Sequence, residues 1–152
     1  MRILAVCAGN ICRSPTVEAA IARAAEAAGL DAEVDSAGTG SWNIGQPPTP
    51  EAIDAGAEVG LTVAGRARRI HSADFANFDI IVAMDRSNYR DLTELAPSKE
   101  AKAKIRLFRT YDPDSTDDEI SDPWGGTAED YQRMVEAVMA SAAGLVDTLN
   151  SA

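Results

Sequence analysis

Ile3-Leu4-Ala5-Val6-Cys7-Ala8-Gly9-Asn10-Ile11-Cys12-Arg13-Ser14-Pro15 is the stretch from which the rest of the chain can be read. Its first four residues are an unbroken apolar run, the pattern of a strand buried on both faces. Pro15 suits the first turn of a helix, where a missing N–H leaves no hydrogen bond unmade. Between strand and helix, Cys7 and Arg13 stand at the two ends of a loop with five residues between them. A loop of that length can curl around a tetrahedral dianion, its amides covering some oxygens while the guanidinium fork takes two. Gly9 and Asn10 suit positive φ in so tight a curl.

Each residue type has its own chemical reason. Cysteine attacks as thiolate, and converging amides, a helix N-terminus and a neighbouring arginine all favour the charged sulfur, so Cys7 is expected to be an ionised nucleophile. When a phosphorylated sulfur is later displaced it must leave as thiolate, and the Ser14 hydroxyl is placed to steady it. Arg13 would stabilise the equatorial oxygens in both steps. The plainer reading of Cys7 is a small hydrophobe closing a strand. Gly9-Asn10 inside the loop and Cys12-Arg13-Ser14-Pro15 after it favour chemistry. Cys12 has two open roles: packing under the loop, or a reversible disulfide that shields an oxidised Cys7.

Outward from this loop, strands alternate with helices. Val17, Ile21, Ala24 and Ala28 recur at helical spacing up to Gly29, and residues 32–35 read as a second strand. A helix is expected over 51–59, a buried strand over 79–84, a helix over 86–95 and a fourth strand over 104–108. Thr127 opens a last helix, with Asp130 completing a capping pair and Tyr131, Met134, Val135, Val138, Leu145 and Leu149 on one face. This alternation implies an α/β fold with a parallel sheet covered by helices on both faces. Ligands bind such sheets at the carboxyl ends of strands, which is where Cys7 falls.

With 152 residues and no repeat, linker or low-complexity tract, residues 1–152 are expected to form one domain. A formal net charge of -10 argues against general affinity for nucleic acid or an anionic membrane. Arg66, Arg68 and Arg69 make a local basic spot, read as a solvated face. The apolar stretch after Arg2 is short and runs into the loop, so it is read as strand rather than signal peptide, and no segment is long enough to span a membrane. Two cysteines, both in the proposed site, speak against a disulfide scaffold and for a reducing cytoplasm.

The segment Val6 to Pro15 resembles the signature loop of the low-molecular-weight protein tyrosine phosphatases. Asp35-Ser36-Ala37-Gly38-Thr39 with Trp42-Asn43, then Met84-Asp85-Arg86-Ser87-Asn88, then Tyr111-Asp112-Pro113 and Asp122-Pro123-Trp124 are similar, in order, to further motifs of that family. The resemblance implies a phosphotyrosine phosphatase I-like sheet of four parallel strands in the order 2-1-3-4. It implies Cys7 as nucleophile, Arg13 as transition-state ligand and Asp122 as general acid. Ala8, Gly9, Asn10, Ile11, Cys12 and Ser14 would bind phosphate or support the loop, with Trp42, Asn43 and Trp124 along the substrate cleft. No cofactor or metal is implied; the partners are phosphotyrosine-containing proteins and a tyrosine kinase, and the protein is expected to be a monomer. Two positions depart from the family pattern: Gly65 stands where a histidine is common and Glu51 where an arginine is, so the hydrogen bonds supporting the loop are expected to differ. Trp124-Gly125 replaces the paired tyrosines of animal relatives, so regulation by tyrosine phosphorylation does not carry over there.

Two Asp-Pro pairs compete as proton donor to the leaving phenolic oxygen. Asp122 is preferred because an aromatic follows it and a helix comes soon after, whereas Asp112 reads as a turn former. Asp114, Asp117, Asp118 and Glu119, if close, would disfavour ionisation of Asp122. The same acidic run lacks the glycine and the bidentate glutamate of a calcium loop, and His71 is the only histidine, so neither a metal site nor a Cys-His pair is expected. Tryptophan walls suit a flat aryl phosphate. Three rivals stay in view. A protein arginine phosphatase of this fold tends to have threonine where this chain has Ile11. An arsenate reductase needs further cysteines, and none follows Cys12. A phosphopeptide-binding module needs neither Cys7 chemistry nor Asp122.

Overall fold

The computed structural model describes residues 1–152. At its centre β1 (Arg2–Cys7) pairs in parallel with β2 (Glu33–Gly38) on one side and β3 (Ile80–Ala83) on the other, and β3 pairs with β4 (Ile105–Leu107). The order is β2-β1-β3-β4, as expected. Register sets Cys7 beside Gly38 and Val6 beside Ala83, so the three strands end together at one edge.

Successive side chains of a strand face opposite ways, and β1 shows it. Ile3, Ala5 and Cys7 enter one core together with Val17, Ile21, Met134, Val138 and Leu145, which lie on α1 (Arg13–Ala27) and α6 (Ala128–Asn150). Leu4 and Val6 enter the other, with Phe75, Leu92 and Ala101 from α3 (Asp74–Asn77), α4 (Arg86–Leu95) and α5 (Lys99–Lys102). Both faces of the sheet are therefore covered, which explains why the β1 sequence is apolar throughout rather than alternating. The helix α2 (Pro50–Glu58) adds Ala52 and Ala55 to the first core.

Helix ends follow local chemistry. Thr127 and Asp130 form the expected capping box, the Thr127 hydroxyl accepting from Asp130 N at 3.2 Å and the Asp130 carboxylate from Thr127 N at 2.9 Å. Asp85 caps α4 by accepting from Asn88 N at 2.7 Å. Pro15 lies within the first turn of α1, which begins at Arg13, as its residue type led one to expect. The short helices α3 and α5 and the 3-10 turn Phe108–Tyr111 were not expected.

Of the basic spot, Arg66 and Arg69 are exposed as expected, but Arg68 is half-buried and paired. Arg68 reaches inward to Asp35 at 3.1 Å and Asp74 at 3.0 Å, while Arg66 and Arg69 bond to the carbonyls of Gly45 and Thr39. These arginines tie the segment after α2 to β2 and to the chain that follows it.

Candidate active site

The end of β1 delivers Cys7, and the chain then turns sharply through residues 8–12 before α1 begins. Cys7 O accepts from Thr39 N and Ala8 O from Gly40 N, each at 3.0 Å, and Ile11 O accepts from Thr49 N at 2.9 Å. These bonds hold the loop to the segments that follow β2. Asn10 takes the left-handed conformation, φ 57°, which a short polar side chain tolerates. Gly9 does not share it. A Cβ at Gly9 would instead stand 2.7 Å from Asn43 Nδ2, which donates to Gly9 O, so this glycine serves close approach rather than positive φ.

Beneath the loop runs a chain of hydrogen bonds whose directions can be assigned. Asn10 Nδ2 donates to Ser14 Oγ at 2.8 Å and to Ser36 Oγ at 3.0 Å, and its Oδ1 accepts from Arg68 N at 3.0 Å. Ser14, having accepted from Asn10, has its own proton for Cys7 Sγ at 3.0 Å. Asn10 N also points to that sulfur, at 3.3 Å. Ser36 in turn donates to Glu18 Oε1 at 2.7 Å. Burial pushes the Glu18 carboxyl above its ordinary value, against the pull of the Ser36 hydrogen bond. Ser36 and Glu18 were not singled out as site residues: Ser36 lay in a motif without an assigned role, and Glu18 sits in a helix with no local mark of function.

Arg13 is 3% exposed, and its Nη1 is held by Asp85 Oδ2 at 2.7 Å and by Ile120 O at 2.9 Å. Its other terminal nitrogen stands 3.8 Å from Asp122 Oδ2. One side of the guanidinium is therefore clamped while the other faces the cavity. Asp85 was read only as part of a helix-start motif; it caps α4 and orients Arg13 at once.

Asp122 lies on the loop before α6, where its Oδ1 accepts from Trp124 N at 3.1 Å. Three of the four acidic neighbours expected to act on it are engaged elsewhere. Asp118 and Glu119 pair with Arg86, and Asp117 Oδ1 accepts from Glu119 N. Asp112 is a turn former, accepting from Asp114 N and pairing with Arg109.

Cys12 sits under the loop with its sulfur 3.6 Å from Thr49 Oγ1 and 3.7 Å from Tyr131 Oη. Burial pushes its thiol up, and burial likewise takes Tyr131 up to about 12. Cys7 and Cys12 are both free thiols.

All these elements meet at one cavity of about 370 Å³, lined by Cys7 through Arg13 on its floor and by Trp42, Asn43, Asp122 and Trp124 on its sides. Ser14 is fully buried behind the floor. Trp42 and Trp124 are 66% and 67% exposed, so they form a rim rather than packing under loops. The loop amides and the guanidinium on the cavity floor suit an anion.

A thiol at the end of a central parallel strand, an amide-lined loop and a clamped arginine make an anion-binding site at the edge of an open α/β sheet. Residues 2–152 match the family model described as "Low molecular weight phosphotyrosine protein phosphatase". The chain is 38% identical over 149 residues to a low molecular weight protein-tyrosine-phosphatase of Streptomyces coelicolor, covering 95% of this chain and 91% of that protein. A crystal structure of protein tyrosine phosphatase from Entamoeba histolytica superposes with a TM-score of 0.96 at 33% identity, covering 99% and 97% of the two chains. The arginine phosphatase YwlE, in a variant with a phosphorylated active-site serine, superposes with a TM-score of 0.89 at 25% identity over 99% and 96%. The chain belongs to the low molecular weight phosphotyrosine protein phosphatase family.

Proposed function

We propose that the protein hydrolyses phosphotyrosine monoesters in proteins through a cysteinyl-phosphate intermediate. The observation that carries this is the convergence of Cys7, the free side of Arg13 and Asp122 on one cavity. In the first step the Cys7 thiolate attacks phosphorus, the ester P–O bond breaks, and protonated Asp122 gives its proton to the departing phenolate. In the second, Asp122 as carboxylate takes a proton from water, the water oxygen attacks phosphorus, and the S–P bond breaks to release inorganic phosphate. Arg13 and the loop amides stabilise charge on the equatorial oxygens in both steps. The proton that Ser14 directs at Cys7 Sγ stabilises the departing thiolate, and Asn10 fixes that direction.

Trp42 and Trp124 offer flat apolar walls, and Ile11 an apolar branch at the floor, which together favour an aryl ester. The resemblance to an arginine phosphatase keeps phosphoarginine as the second reading. Arsenate reduction has weaker support, since no cysteine follows Cys12 to relay electrons. Buried free thiols suit a cytoplasmic setting, and no helix is long and apolar enough to cross a membrane. We read the protein as a monomer opposing a tyrosine kinase on shared substrates.

Turnover of a phosphotyrosine peptide, a phosphoarginine peptide and arsenate by the same preparation tests the reading. Phosphotyrosine is expected to have the highest kcat/KM; faster cleavage of phosphoarginine would overturn the assignment of substrate.

A further inference from the structure

We propose that a second cavity, separated from the first by Trp42, seats a residue flanking phosphotyrosine in the substrate chain and favours a basic one. This inference rests on the phosphotyrosine reading and adds to it a preference for sequence context. The second cavity also measures about 370 Å³; Ala8 and Trp42 line both, and Arg69, Asn88, Asp91 and Glu94 are among its other walls.

Two observations support an occupant. Trp42 stands as a partition because of Gly40: a Cβ there would lie 1.7 Å from Trp42 Cζ3, so the indole rests against backbone that carries no side chain. With phosphotyrosine in the first cavity, the second lies across this ring and offers room for a neighbouring residue of the same peptide. Asn88, a lining residue of this cavity, is 2% exposed, and its buried Oδ1 has no hydrogen-bond partner.

Charge decides what kind of side chain fits. Asp91 and Glu94 lie three residues apart on α4 and so share a face of the helix. Arg69 is the one cation on the cavity wall, and its Nε is turned to Thr39 O at 3.3 Å. Two carboxylates against one guanidinium leave a net negative wall, complementary to lysine or arginine and adverse to glutamate.

Three phosphotyrosine peptides that differ only in having lysine, alanine or glutamate on both sides of the phosphotyrosine would measure this, with para-nitrophenyl phosphate as a substrate too small to reach the second cavity. The wild type is expected to prefer the lysine peptide over the glutamate peptide by about fivefold in kcat/KM, less at high salt. The double variant Asp91→Asn, Glu94→Gln, whose changes lie on the outside of α4, is expected to lose that ratio while hydrolysing para-nitrophenyl phosphate as before. Equal peptide rates in the wild type, a preference for glutamate, or a ratio that survives the double variant would each overturn the inference. Failure of the wild type to hydrolyse para-nitrophenyl phosphate would instead overturn the phosphatase reading beneath it.

Discussion

The floor of the cavity and its rim are built on opposite terms. On the floor, Cys7, Asn10, Arg13 and Ser14 are almost wholly buried, and each is held by at least one named hydrogen-bond partner, with only the cavity side of Arg13 left free. On the rim, Trp42 and Trp124 are two-thirds exposed and Asp122 is held by one bond to Trp124 N. A buried polar network is stable only when satisfied throughout, so the floor presents its donors in a fixed arrangement before any substrate arrives. An exposed wall has no such constraint. Chemistry is therefore expected to belong to the floor and recognition to the rim, with Asp122 as the single rim residue that enters the chemistry.

Substitutions can break this division or sharpen it. With the nucleophile itself left in place, the largest effect should come from Asp122→Asn, which keeps shape and removes the proton: kcat for an aryl phosphate with a poor leaving group should fall by about 10²–10⁴. The fall should be much smaller for a leaving group that needs no proton, and an equal fall for both would make Asp122 a structural residue. Ser14→Ala removes the proton aimed at Cys7 and should lower kcat by roughly tenfold or more, through slower release of phosphate from sulfur. A burst of phenol before the steady state would show that step directly, and loss of the burst would contradict it.

Smaller effects belong to the rim and to the far end of the network. Trp42→Ala should raise KM for a phosphotyrosine peptide a few fold, leave kcat near its original value and change stability by less than about 0.5 kcal/mol. A kcat effect as large as that of Ser14→Ala would erase the floor and rim distinction. Glu18 tests the network through pH. Burial raises its folded value above the ordinary 4.5, so the folded protein holds this proton more tightly than the unfolded chain. Its contribution is most favourable below 4.5 and is lost as pH climbs through the raised folded value. Stability of wild type relative to Glu18→Gln, followed by urea denaturation, should therefore fall across that window; a flat or rising difference would contradict the assignment.

The floor was legible in the sequence largely because its parts are contiguous. Apolar Ile3 to Val6, the residues from Cys7 to Ser14 and Pro15 specify strand, loop and helix within one local stretch. The capping pair Thr127 and Asp130 was local in the same sense. What sequence reading missed depends on distant encounters. Asp85 reaches Arg13 across 72 residues, and its motif announced only a helix start. Arg68 looked solvated among other arginines, yet meets Asp35 from β2 and Asp74 from α3. The acidic run near Asp122 suggested repulsion, and the structure turns Asp118 and Glu119 towards Arg86. Helices α3 and α5 span four residues each, too few for a period to show. The family resemblance supplied the strand order, which periodicity alone could not.

The central claim is that phosphorus passes through the sulfur of Cys7. Rapid acid quench of the enzyme during turnover of a phosphotyrosine peptide, followed by peptide mapping under conditions that preserve thiophosphate esters, tests it directly. Phosphate on the peptide containing Cys7, accumulating in Ser14→Ala and absent from Cys7→Ala, is the predicted result. An active enzyme that carries no phosphate at Cys7 in either the wild type or Ser14→Ala would contradict it.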